Sequence, residues 1–411
     1  MSTYTPNQQI LSNFANLLVN FALNSGEGIK KGDVVNVLMN EHAKPILFHV
    51  QKAILESGGH MLLTYLPAEL ERDRDETRLF FEIANEEQLN FFPENYIQAK
   101  INLIDHLIFF YSTNDHHYYD GIDQTKLAIR SKAWKPYTDF RDDKELDGKF
   151  TWTLTDYPTP AMAEAANMSL QEYWEQIIKA CHLDLDKDEC IEKNKESLNQ
   201  ITLLKDKINS LNIDTIHITG TDMDLTVKIG ESRRWLGGTG RNIPSFEIFT
   251  SPDNQGVDGW IKFNQPLYRL GQIINGIELH FEKGKVVRYS AKENEEALCS
   301  MLETDEGASR VGEISLTDKR FSRIDRIMAT TLYDENFGGE FGNTHLAIGK
   351  SYKDTYSGDF ADLTEEKSEE LRFNQSAIHV DIMSTTNRKV TAILKNGEEI
   401  LLYEDGEFKI L

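Results

Sequence analysis

The sequence predicts an α/β protein in two parts. Residues 1–205 form an N-terminal α/β domain with a largely parallel sheet, and residues 206–411 a C-terminal β-rich α+β domain. Three observations carry this reading. At 411 residues the chain exceeds what one hydrophobic core usually organises. A strand, a helix and a second strand follow one another within its first 65 residues, the spacing of a βαβ unit. Beyond about residue 205 the pattern changes to short alternating strands separated by tight turns.

Taken in order, residues 8–24 place Ile10, Leu11, Phe14, Leu17, Leu18 and Phe21 at helical spacing. Lys30-Lys31-Gly32-Asp33 breaks that helix ahead of the apolar run Val34 to Met39, a strand. A helix over 44–57 ends at Gly58-Gly59, and Met61 to Tyr65 is the next strand. Residues 103–111 (LIDHLIFFY) predict a further buried strand. Helix follows from Pro160 to about His182, interrupted at Asn167-Met168-Ser169-Leu170, where Ser169 suits an N-cap. The charged stretch 183–200 reads as a solvated boundary. In the second half, Gly220-Thr221-Asp222, Lys283-Gly284, Asn396-Gly397 and Asp405-Gly406 each sit between alternating runs, marking antiparallel hairpins.

Forty-four basic and sixty-seven acidic side chains leave a formal charge of −23, which repels polyanions and speaks against nucleic acid and anionic membranes as partners. No run approaches the roughly 20 apolar residues that span a bilayer. The N-terminal decapeptide lacks a signal-peptide profile. Cys181, Cys190 and Cys299 are too few and too irregularly spaced for a disulfide framework or a thiolate zinc site. The expected setting is a reducing cytoplasm.

Chemistry concentrates in the second half. In residues 374–383 (NQSAIHVDIM), strand alternation turns Ile378, Val380 and Ile382 to one face and His379, Asp381 and Met383 to the other. An imidazole and a carboxylate side by side on an apolar strand suit a divalent metal, although His-x-Asp on a wet strand face is common. Glu247 lies inside IPSFEIFTSP, Glu313 inside VGEISL and His345 inside NTHLAIGKSY, each a polar group in an otherwise apolar or small-residue run. Burying such acids is unfavourable without a cation or partner. His116-His117-Tyr118-Tyr119-Asp120, the trio His182, Asp184 and Asp186, and the turn acids Asp222 and Asp224 are weaker candidates in polar surroundings. Gly237-Gly238-Thr239-Gly240 lacks the helix and the Lys-Ser/Thr of a phosphate loop.

Several segments occur in a telling order: Tyr157-Pro158-Thr159-Pro160-Ala161-Met162-Ala163, residues 240–252 (GRNIPSFEIFTSP), Val311-Gly312-Glu313, Asp334-Glu335-Asn336, residues 343–352 (NTHLAIGKSY) and His379-Val380-Asp381. Together they resemble the thermophilic metallo-aminopeptidase family that includes aminopeptidases T, S and PepS, over the whole chain. The resemblance implies a two-metal site with Glu247, Glu313, His345, His379 and Asp381 as ligands, holding zinc, cobalt, manganese or magnesium. It implies catalytic roles for Tyr352 and Glu313. It further implies peptide substrates with a free N-terminus, broad specificity favouring apolar residues, and a homodimer built by the C-terminal domain. Either Glu247 or Glu313 bridges the ions, and the other takes up the water proton. The family's further acid corresponds to Glu335. Because residues 337–342 (FGGEFG) lengthen the passage to His345, Glu340 is a rival. The ligand chemistry alone also fits hydrolysis of a phosphoester or non-peptide amide, and the fold alone fits a non-catalytic peptide-binding protein.

Overall fold

The computed structural model describes residues 4–68, 75–115, 118, 121–269 and 272–410. The chain divides into two compact units: residues 1–191 with Gly240–Ile243, and residues 192–239 with 244–411.

The first unit is built on a four-stranded sheet of β1 (Val34–Asn40), β2 (His60–Leu66), β3 (His106–Tyr111) and β4 (Thr151–Asp156), in the order β2-β1-β3-β4. All three pairings are parallel. Parallel neighbours need crossovers, and the helix Lys44–Glu56 supplies the first of them. The helix Gln8–Leu17, opened by Asn7 accepting from Ile10 N–H, buries Leu11, Phe14 and Leu17. Ser169 caps the helix Leu170–Cys181 in a reciprocal box with Glu172.

Two stretches depart from the sequence reading. Leu103 closes the helix Glu94–Leu103, so β3 starts only at His106. Between them Asp105 accepts the backbone N–H of Val34 through its carboxylate. The charged stretch after residue 186 is a helix, Lys187–Ser210. It buries Cys190, Ile201, Leu204 and Ile208, a one-sided stripe diluted by many solvated charges.

The second unit is antiparallel. One sheet has eight strands: β5 (Ile213–Gly220), β6 (Met223–Lys228), β9 (Val257–Lys262), β12 (Glu278–Glu282), β13 (Lys285–Ser290), β17 (Arg388–Leu394), β18 (Glu399–Glu404) and β19 (Glu407–Phe408). A two-stranded ribbon pairs β10 (Leu267–Arg269) with β11 (Gln272–Ile274). The third sheet has five strands: β7 (Leu236–Gly237), β8 (Glu247–Thr250), β14 (Val311–Thr317), β15 (Asn343–Gly349) and β16 (His379–Ser384). Its order is β16-β15-β14-β8-β7. The turns Lys283-Gly284 and Asp405-Gly406 both hold two successive residues at positive φ, the signature of hairpins that match strand twist.

In this five-stranded sheet every residue of β8, β14 and β15 is buried, polar ones included. Three of those polar residues, Glu247, Glu313 and His345, join His379 and Asp381 of β16 in the candidate site.

Candidate metal centre

Strand register brings the five proposed ligands onto one face. On β14, Glu313 stands opposite Ala347 of β15, and Ala347 opposite Asp381 of β16. One row along, His345 lies between Ser315 and Met383, and Ser315 faces Phe249 of β8. Directly opposed residues of antiparallel strands share a face, as do alternate residues along a strand. Glu247, Glu313, His345, His379 and Asp381 therefore converge from four neighbouring strands. Ser315, Ala347 and Gly349 form the floor between them, and their small side chains leave space above the sheet.

A bulge sets the aim of Glu313. Val311 pairs with Ile348 and Glu313 with Ala347, leaving Gly312 extra. A Cβ on Gly312 would come within 2.4 Å of the Lys350 carbonyl oxygen, so only glycine fits. That same carbonyl accepts a 2.7 Å hydrogen bond from Nδ1 of His379. The bond fixes the tautomer and turns Nε2 towards the carboxylates.

Two groups of potential ligand atoms result, each within 4.8 Å of one another: Glu247, Glu313 and His345, and Glu313, His379 and Asp381. Glu313 belongs to both. His345 Nε2 donates to its Oε1 at 2.9 Å, while His379 Nε2 lies 3.4 Å from its Oε2. His345 Nε2 is also 3.5 Å from Glu247 Oε2 and 3.8 Å from Asp381 Oδ1. Ser315 donates to Glu247 Oε2 at 3.0 Å.

The electrostatics are those of crowded anions out of water. Burial, reinforced by the charges of Glu313 and Asp381, pushes the Glu247 carboxyl up to about 7. Burial would lower the His345 imidazole, but its hydrogen bond to Glu313 and the surrounding carboxylates outweigh it and hold the ring at about 9. His379 is raised well above its ordinary value against the same burial, by Asp381 and Glu313. Asp381, pushed up by burial, is pulled down to about 2 by the two imidazoles. Among the described residues the three carboxylates have only these histidines as ion-pair partners. Three desolvated acids and two imidazoles, with no lysine or arginine paired to them, make a donor set that fits divalent cations.

Tyr352 follows β15. Its ring packs against His379, with centroids 4.5 Å apart, and edge-on to Phe249 at 5.8 Å. The residue is 42% exposed. Its hydroxyl is nevertheless held well above the ordinary phenol range by the dense protein around it and by Glu313, Asp381, Glu335 and Glu247. Among the described residues it makes no hydrogen bond to His345, which removes the simplest purely structural role for it.

Glu335 and Glu340 separate cleanly. Glu335 is buried just after the short helix Thr331–Asp334, and its carboxylate accepts from Asn336 Nδ2 at 3.4 Å. Gly339, at positive φ, turns the chain so that Glu340 is exposed. Neither joins the two ligand groups.

Of the weaker candidates, His116, His117, Tyr119 and Asp120 lie outside the described residues. Asp224 pairs at the surface with His217, 2.7 Å away. The segment 237–240 leads into no helix. The sequence reading overlooked the floor residues Ser315, Ala347 and Gly349, and the carbonyl of Lys350. Period-two alternation outward from Glu313 and His345 would have found the first three.

The description "thermophilic metalloprotease (M29)" belongs to a family profile that matches residues 7–408. Aminopeptidase 2 of Geobacillus stearothermophilus is 26% identical over 409 residues, covering 94% of this chain and 95% of its own. Aminopeptidase T of Thermus aquaticus is 30% identical over 281 residues, 63% of this chain and 65% of its own. The structure of wild-type AmpT from Thermus thermophilus superposes with a TM-score of 0.82 at 22% identity, covering 98% of this chain and 99% of that one. The fold is shared throughout. With the family profile spanning nearly its full length, this chain belongs to the M29 family of thermophilic metalloproteases and is a metallopeptidase.

Proposed function

We propose that the protein is a two-metal aminopeptidase, removing single residues from the N-termini of peptides. The observation that carries this reading is the position of Glu313, one buried carboxylate shared by two separate ligand groups. Glu247, Glu313 and His345 would hold one ion, and Glu313, His379 and Asp381 the other. Bound there, divalent ions supply Lewis acidity, polarising the scissile carbonyl and lowering the pKa of water. Two imidazoles among the donors favour zinc, cobalt or manganese over magnesium.

The chain's own groups do the rest. Glu313 belongs to both groups and would be the carboxylate that helps to hold both ions. Glu247 binds the Ser315 hydroxyl through Oε2, which leaves Oε1 to receive a proton from water. Tyr352, whose phenol is held above its ordinary range by burial and the neighbouring carboxylates, would donate a hydrogen bond to the developing oxyanion. Phe249 and Met383 share the ligand face and give the site apolar flanks. That supports broad specificity with a preference for apolar first residues. The relatives named aminopeptidase support an N-terminal rather than an internal cut. The homodimer and the cytoplasmic location belong to the same reading. Among the described residues no helix is long and apolar enough to cross a membrane.

The test uses protein stripped by a chelator, with leucine p-nitroanilide and its N-acetylated form as substrates. Adding zinc, cobalt or manganese is expected to restore cleavage of the free-amine substrate alone. Equal cleavage of the blocked substrate, or activity untouched by the chelator, would overturn the proposal.

A further inference from the structure

Tyr352 has to present its hydroxyl to a reacting carbonyl, yet it lies three residues beyond the end of β15, outside the sheet. Its backbone is nevertheless fixed. The N–H donates to Oγ of Ser251 at 2.8 Å, and the carbonyl accepts from Thr355 Oγ1 at 2.7 Å. Ser251 is fully buried one residue beyond β8, the strand that carries Glu247 and Phe249. One short segment thus supplies a ligand, the ring that Tyr352 leans on, and the oxygen that hooks its backbone.

Ser251 is itself held in place. Pro252 restricts the residue before it to extended backbone. The Ser251 carbonyl accepts from Nε of Arg233 at 2.8 Å. The same guanidinium binds the carbonyls of Glu231 and Leu371 and stacks 3.4 Å from the Phe373 ring centroid. Ser251 is thus held on one side by proline and on the other by an arginine that makes three backbone hydrogen bonds and stacks on a ring.

We propose that Ser251 is a positioning residue for the reaction, acting through the backbone N–H of Tyr352 to set where the phenol hydroxyl stands relative to the ligands. This rests on the role given to Tyr352 above. Replacement by alanine leaves a partly buried N–H without its acceptor and frees the start of the Tyr352 segment. A displacement near 1 Å at a catalytic group lowers turnover by up to about 10²-fold.

The experiment is a double-mutant cycle on the metal-loaded enzyme, with melting temperature and metal content measured for every variant. Tyr352→Phe is expected to lower kcat by about 10²–10³-fold, the usual effect of removing an oxyanion donor. Ser251→Ala is expected to lower kcat by about 10–100-fold, with KM within about twofold and metal content unchanged. In the Tyr352→Phe background the same Ser251→Ala change should cost nothing further, because the group it positions is gone. Ser251→Thr keeps an oxygen on the same carbon; it should recover most of kcat even where the added methyl lowers the melting temperature. If Ser251→Ala lowers the melting temperature but leaves kcat intact, or slows both backgrounds equally, the residue is only structural and the proposal falls. Full activity in Tyr352→Phe would instead refute the role of the tyrosine, and the inference built on it with it.

Discussion

Replacing Glu313 by glutamine is expected to lower kcat at least about 10³-fold, beyond the ~10²–10³ typical of losing one hydrogen-bond donor to a transition state. The reason is its double membership. A substitution at Glu247 or Asp381 touches one ligand group, whereas Glu313 belongs to both. Glutamine preserves shape and can still accept from His345, so folding should survive. What it removes is the negative charge that two cations would share. Glu340→Gln is the control, since Glu340 is exposed and lies in neither group. It should behave as wild type. Steady-state kinetics on both variants checks the pair, and a Glu313→Gln enzyme within tenfold of wild type would contradict the assignment.

Removing the metals should make stability depend on pH in a defined direction. In the metal-free protein the His345 ring titrates near 9, against an ordinary 6.5. A raised imidazole contributes stability that is complete below its unfolded value and is lost as pH climbs through its folded value. Glu247, raised to about 7, acts in the same sense, its contribution fading between its ordinary 4.5 and 7. Asp381 works oppositely, but its contribution disappears only as pH falls from 3.8 through about 2, far below neutrality. From pH 6.5 to 9 the metal-free protein therefore loses stability, on the order of 3 kcal/mol from His345 alone. At about 2–4 °C per kcal/mol, this corresponds to a fall of roughly 6–12 °C in Tm. Metal binding needs the ligands deprotonated, so loaded protein gains relative to stripped protein over the same range. Thermal scans of both forms at pH 6.5 and 9 should show the gap widening. A constant or narrowing gap would mean that the histidines are not held protonated by the neighbouring acids.

How much of this was legible beforehand varies by element. The βαβ opening could be read from Val34 to Tyr65 because each run is apolar, short and bounded by turn residues. By contrast, β4 (TWTLTD) mixes Thr and Asp into a buried strand and gives no such signal. The helix Lys187–Ser210 was hidden by its charges, since one narrow buried stripe carries all of its packing information. In the site, His379 and Asp381 were visible as alternate residues of a single strand. Their meeting with Glu247, Glu313 and His345 depends on the order β16-β15-β14-β8, which local patterns do not encode. Only the ordered resemblance to a family named all five together. The choice between Glu335 and Glu340 needed the turn at Gly339, a backbone angle rather than a side-chain type. The hook from Ser251 to Tyr352 joins residues 101 positions apart through a main-chain N–H and leaves no trace in composition or spacing.

The most direct test of the account is a metal count. After repletion with zinc or cobalt and gel filtration, elemental analysis of the wild-type protein should give two ions per chain, and of Glu313→Gln at most one. One ion per wild-type chain, or two retained without the Glu313 carboxylate, would contradict the shared-ligand centre.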